Sequence, residues 1–205
     1  MEKAALKEHR RHSTADKPFS YYISNIPEYF PNAPMHWHKE FELNVILEGE
    51  GDFVTGDIHF TAYKGDIVLT PPDMLHAVYQ HDDKRCVYDT LDLDGSMLGS
   101  RDNGRAADAF IAPLISGAYS IETHITPEHC YYSELLTTAE NMISAAKGDT
   151  PLLDMLIKSE LLRFMFLLYE SGSISSNGFV KKSSLMRPTI ELSLIHISEP
   201  TRLGM

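Results

Sequence analysis

Between Phe19 and Leu93 the chain is built from short β-branched and aromatic runs, each closed by a turn signal, and this limits its fold more than any other feature. Phe19–Ile26 reads as a first strand. Residues 27–34 carry three prolines and Asn32 and read as a loop. An apolar run from Leu43 to Leu47 stops at Gly49 and Gly51. Residues 52–55 and Ile58–Tyr63 flank Gly56-Asp57, a two-residue hairpin signal. Lys64-Gly65-Asp66 is another turn, and Ile67–Thr70 is a strand ended by Pro71-Pro72-Asp73. His76–Gln80 follows, then a polar loop over residues 81–85. Cys86–Leu93 alternates, with Val87, Asp89, Leu91 and Leu93 opposite Tyr88, Thr90 and Asp92. Many short strands joined by Gly and Pro turns build a sandwich or a barrel.

After Gly95 the period changes. Residues 105–115 read as a short helix and 118–121 as a last edge strand. Thr126-Pro127 is a helix start, a hydroxyl cap followed by proline in the first turn, and the helix is expected to run to Lys147. Thr150-Pro151 repeats the device, and a strongly apolar helix over 152–171 ends at Gly172. The fold class expected is mostly β with C-terminal helices. A barrel spans 18–122 and an antiparallel helical hairpin spans 123–172. The second helix is apolar on two faces, so it needs two partners. One is the preceding helix; the other is either the barrel, which would make both stripes intramolecular core, or a second subunit, the preferred reading, through Leu153, Leu156, Leu161, Phe164 and Leu168. Residues 1–17 read as a flexible arm with a small basic cluster, and the serine- and glycine-rich 173–184 as a linker.

The densest chemistry lies in residues 34–51. His36, His38 and Glu42 fall within seven residues and share a face of a regular strand. Glu40 shares that face unless a bulge turns it out, and Trp37 faces away. Asp89, Asp92 and Asp94 read as a solvated strand end, because the spacing and glycine of an EF-hand are missing. The ten tyrosines read mostly as core and surface. There is no Ser-His-Asp order, phosphate loop or CxxC knuckle.

A formal net charge of −11 argues against nucleic-acid binding by this chain as it stands, since phosphate contact needs a basic face. Two cysteines make no disulfide framework and read as reduced thiols of a cytoplasmic protein. No apolar run is long enough for a membrane span, and none at the N-terminus suits a signal peptide.

His36-x-His38-x3-Glu42-x6-Gly49 is similar to the first cupin motif. Gly65-x5-Pro71-x-Asp73-x2-His76-x3-Gln80 is similar to the second, with Asp73 in place of the usual glycine and Gln80 in place of asparagine. Phe30 stands where a glycine usually opens the first motif. The phrasing of residues 36–51 and 64–76, with the order barrel, helical hairpin, linker, more narrowly resembles the sensor domain of AraC-type transcriptional regulators. That resemblance implies a cupin-like double-stranded β-helix, or jelly roll. It also implies a homodimer that binds a small polar effector, such as a sugar, through His36, His38, Glu42 and His76, without enzymatic activity or cofactor. The cupin likeness carries an alternative, a divalent transition metal on the same four residues in a small dioxygenase or isomerase. Residues 185–191 resemble the start of the DNA-binding domain of such regulators, so DNA contact is expected only through a helix-turn-helix domain missing here. Residues 192–202 resemble the in-frame translation of a sequencing adapter, so 192–205 is expected to be an assembly artefact on a truncated frame.

Overall fold

A computed structural model of the chain describes residues 3–99 and 104–176. Seven strands make the barrel: β1 (Phe19–Ile26), β2 (Asn32–His36), β3 (Phe41–Thr55), β4 (Ile58–Tyr63), β5 (Ile67–Thr70), β6 (His76–Gln80) and β7 (Cys86–Leu93). They pair as one nested antiparallel hairpin whose turn is Gly56-Asp57. β3 meets β4 next to the turn, the first half of β3 meets β5, β2 meets β6, and β1 meets β7. Rolling up this hairpin adds the pairs β3–β7 and β3–β6. Two sheets result, β1-β7-β3-β5 and β2-β6-β3-β4, with the 15-residue β3 running through both. This is the jelly roll that the resemblance implied, and it fulfils the sandwich or barrel expected from the many short strands.

Two glycines set the path. Gly56 has φ 59 at the first of the two turn positions, where a primed hairpin turn needs a positive φ. Gly49 has φ 74, and a Cβ there would lie 1.7 Å from the Arg85 carbonyl oxygen, so only glycine lets β3 pass the end of β7. A register shift between Ile46 and Glu48 marks the bend.

Parity along β3 and β7 divides the molecule. Phe41, Leu43, Val45, Leu91 and Leu93 face outward and join the larger core with Leu135, Met142, Ile157, Leu161, Phe164 and Leu168. Ile46, Tyr88, Val78, Phe53 and Ile26 face inward and form a smaller core inside the barrel. The helices of the larger core are α2 (Tyr132–Ala146) and α3 (Pro151–Glu170), preceded by a π-turn (Ala107–Ile111) that runs into α1 (Ala112–Ile115). β8 (Tyr119–Ile121) pairs with β10 (Ile174–Ser176), and β9 (His124–Ile125) extends the barrel by pairing with β5.

Several expectations are corrected. Residues 32–34, expected to be the end of a loop, already belong to strand β2, because β6 offers them an edge. α2 begins at Tyr132 and not at Thr126, whose hydroxyl bonds Glu128 while successive turns carry the chain to Tyr131. Residues 174–176 belong to the fold rather than to a linker, since β8 supplies an edge and Ile174 fills the larger core. Leu161, Phe164 and Leu168 are buried in this chain's own core, with Leu153 packed against it, so they are not free to face a partner. Of the five residues assigned to dimerisation only Leu156 is exposed. The exposed apolar stripe of α3 is Leu152, Met155, Leu156, Leu162 and Phe166. Residues 3–17 are docked, where a flexible arm was expected: Lys7 bridges Trp37, and His12 is 6% exposed. The resemblances noted at residues 185–191 and 192–205 lie outside the described residues.

Candidate functional site

His36 ends β2 and sits directly across from His76, the first residue of β6. The chain then leaves the strand. Residues 38–40 make a bend, fixed by the Asp73 N–H donating to the His38 carbonyl at 2.8 Å, and β3 resumes at Phe41. His36, His38 and Glu42 therefore do not share one regular strand, yet the bend brings them together. Their ligand atoms and that of His76 all lie within 4.8 Å of one another. Glu40 is turned out to accept bonds from the Ser13 hydroxyl (2.7 Å) and the Lys39 N–H (3.1 Å). Trp37 points away and donates its indole N–H to the Lys3 carbonyl.

The hydrogen bonds fix which nitrogen faces inward. His36 Nδ1 is 2.7 Å from the Pro34 carbonyl and His76 Nδ1 is 2.9 Å from the Met74 carbonyl. A carbonyl only accepts, so both Nδ1 atoms carry the proton and each Nε2 is turned to the centre. Glu42 Oε2 lies 3.4 Å from both His38 Nε2 and His76 Nε2. Its other oxygen accepts from Asn44 at 2.7 Å, and Asn44 accepts from Thr90 at 2.6 Å. Among the described residues, His38 Nδ1, His76 Nε2 and Asp92 Oδ1 are buried without a hydrogen-bond partner. Such buried orphans are costly, and they leave the cluster with polar atoms able to accept or donate further bonds.

Sequence reasoning missed the second half of this cluster. Asp92 is 1% exposed and is not a solvated strand end. It shares a parity with Tyr88 and Thr90, opposite Leu91 and Leu93, and that alternation was the readable signal that it points into the barrel. His12 comes from the arm, and no pattern in the sequence marks it. It donates from Nδ1 to Asp92 at 2.7 Å and from Nε2 to Glu8 at 3.0 Å. Glu8 in turn lies 3.4 Å from His36 Nε2, and Asp92 lies 3.9 Å from His38 Nε2. Carboxylates and imidazoles thus alternate around one end of the barrel. Asp89, on the outer parity, accepts from Tyr21 and Lys147.

Charge follows from these contacts. Burial acts to raise Glu42, but His76 and His38 outweigh it and hold its carboxyl well below the usual range. Burial acts against a charged His76, and Glu42 overrides it and raises the imidazole. Burial, then the His76 charge, keeps His36 below its ordinary value. Burial also opposes the His12 charge, yet the bonds to Asp92 and Glu8 lift it to about 11. Burial raises Asp92 against the bond from His12. A cavity of about 540 Å³ opens over the cluster, with Glu42, His76, His36 and Asp92 in its wall and Phe30, Val78 and Tyr22 beside them. That volume suits a small molecule.

Residues 18–165 match a family model described as AraC-like ligand binding domain. A curated relative is an uncharacterized HTH-type transcriptional regulator, YdeC, of Bacillus subtilis (strain 168). It is 27% identical over 89 residues, which are 43% of this chain and 31% of that protein. The chain therefore matches less than a third of the length of that regulator. Solved structures with partial likeness include a Cupin 2 conserved barrel domain protein from Salinispora arenicola, at 22% identity over 42% of this chain and 71% of that one, with TM-score 0.34. DMSP lyase from Ruegeria pomeroyi is 23% identical over 42% of this chain and 41% of that one, with TM-score 0.33. Oxalate decarboxylase of Bacillus subtilis is 21% identical over 32% of this chain and 18% of that one, with TM-score 0.29.

Proposed function

The chain belongs to the AraC-like ligand binding domain family, and on that premise we propose that it is the effector-binding and dimerisation part of a cytoplasmic transcription regulator. The effector is a small polar molecule such as a sugar. It enters the cavity and contacts His36, His38, Glu42 and His76. DNA contact is left to a helix-turn-helix domain outside the matched stretch. The reading rests on one observation above others: a cavity of about 540 Å³ whose wall ends in buried imidazoles and carboxylates, with His76 Nε2 left unpaired. Polyol hydroxyls both donate and accept, so they satisfy such a mixed set. The chain is proposed to bind rather than to catalyse.

The homodimer is proposed to form through the corrected face of α3. Leu152, Met155, Leu156, Leu162 and Phe166 lie on one exposed stripe, and a two-fold helix pair would cover it with the same stripe of a second copy. The test of the effector reading is calorimetric titration of the chain with a panel of pentoses and hexoses, repeated on Glu42→Gln. Saturable binding that the variant loses supports it. Identical heats from both proteins, or none from either, would sink it.

A second reading has its own support. Two imidazoles with Nδ1 tied to backbone carbonyls, a third imidazole and a carboxylate form a donor set that fits a divalent transition metal. His36, His38, Glu42 and His76 would hold it, and the ion would supply a Lewis acid beside the cavity. Glu42 would stay ionised through its bond from Asn44, and His76 would give up its proton.

A further inference from the structure

From this metal reading, on which it rests, we infer that the N-terminal arm completes the site: Glu8 is a further carboxylate ligand for a divalent transition-metal ion held by His36, His38, Glu42 and His76. The first ground is an unsatisfied contact. His36 Nδ1 already donates to the Pro34 carbonyl, so the Nε2 that faces Glu8 Oε2 at 3.4 Å presents a lone pair to another acceptor. An acceptor turned toward a carboxylate is reconciled by a cation between them. The buried His76 Nε2 faces Glu42 Oε2 at 3.4 Å, where a metal ion would take the place of the imidazole proton. Ligands about 2.0–2.2 Å from one ion are separated by about 3 Å or slightly more, and the Glu8–His36 spacing of 3.4 Å lies in that range.

Charge is the second ground. Glu8, Glu40, Glu42 and Asp92 crowd one end of the barrel. His12, bonded through both ring nitrogens to Glu8 and Asp92, and His76, 3.4 Å from Glu42, answer only part of that negative charge. Arg10 is solvent-exposed and lies over the Tyr22 ring. A buried excess of carboxylate is stable when it coordinates a metal or is neutralised.

Glu8 is also held where a ligand would need to be. Its backbone N–H donates to the Trp37 carbonyl at 3.0 Å, and the Trp37 N–H donates to the Leu6 carbonyl at 3.1 Å. Trp37 lies between two of the ligands, so the same backbone bonds place the arm and the ligand-bearing bend. Carboxylate and imidazole together suit zinc, iron, cobalt, nickel and manganese.

The experiment is titration of the full chain with Zn²⁺ and Co²⁺ against a chelator of known affinity, with the Co²⁺ absorption spectrum recorded for each protein. Wild type is expected to take up one ion. Glu8→Gln is expected to bind about 10- to 100-fold more weakly with an altered Co²⁺ spectrum, and Glu8→Asp to recover part of the loss. Hydrogen exchange of residues 3–17 is expected to slow on metal addition in wild type and not in Glu8→Gln. If wild type binds one ion and Glu8→Gln matches it in affinity and spectrum, the arm is not part of the site and the four-residue reading survives. If wild type binds no ion, both readings fail, and the polar-effector reading is left to its own titration.

Discussion

At the scale of single residues, the site shows what pattern reading can and cannot reach. His36, His38, Glu42 and His76 were legible because reactive side chains at motif spacing stand out against an apolar strand. They converge for a reason other than the one expected: a bend at residues 38–40, not a regular strand, brings them together. Asp92 was legible in the parity of Cys86–Leu93 but was masked by its neighbours Asp89 and Asp94, which suggested solvent. His12 was not legible at all, since a histidine in a charged arm carries no period. Its burial does make a prediction. Hydrogen bonds to Asp92 and Glu8 raise its folded pKa from 6.5 to about 11. The stabilisation it gives is therefore complete below pH 6.5 and lost as the pH rises through about 11. Hydrogen-exchange protection of residues 3–17, corrected for intrinsic rate, should fall over that interval in wild type. His12→Gln should start low and show no such fall. A wild-type profile that is flat from pH 6 to pH 10 would remove His12 as the latch.

At the scale of elements, the strands were easier to read than the helices. Each barrel strand alternates because one face meets the interior and the other meets the hairpin or water, so turn residues and parity locate it. α3 has apolar residues on every side, and an all-round apolar helix does not say which stripe is core. The structure decides: Phe164 and Leu161 are buried, while Phe166 is 59% exposed. Two substitutions only two residues apart, on opposite sides of the helix, should therefore behave differently. Phe164→Ala should cost about 3–5 kcal/mol in urea unfolding, the range for emptying a large buried aromatic site. Phe166→Asp should change stability by less than about 1 kcal/mol, as exposed positions do. It should also convert a dimer to a monomer in sedimentation equilibrium. A Phe166→Asp protein that stays dimeric would move the interface off α3.

At the scale of the whole molecule, barrel and hairpin read in sequence as two successive units, yet they share one core. The outer faces of β3, β5 and β7 supply Leu43, Val45, Leu69 and Leu91, and α2 and α3 supply the other side. Lys147 at the end of α2 bonds Asp89 at 3.4 Å and lies 4.9 Å over the Tyr21 ring, tying the hairpin turn to β7 and β1. The same β3 and β7 carry Glu42, Thr90 and Asp92 on their inner faces. The residues of the candidate site and the residues that hold the hairpin therefore lie on opposite faces of the same two strands. This predicts one cooperative thermal transition for the chain, with calorimetric and van't Hoff enthalpies equal. It also predicts that a fragment ending at residue 125 will not persist as a native barrel. Removing α2 and α3 uncovers a contiguous apolar sheet face, which binds hydrophobic dyes and self-associates. Two separate transitions in the intact chain, or a soluble, dye-free fragment, would show that the barrel stands alone and that the hairpin is an attachment rather than half of its core.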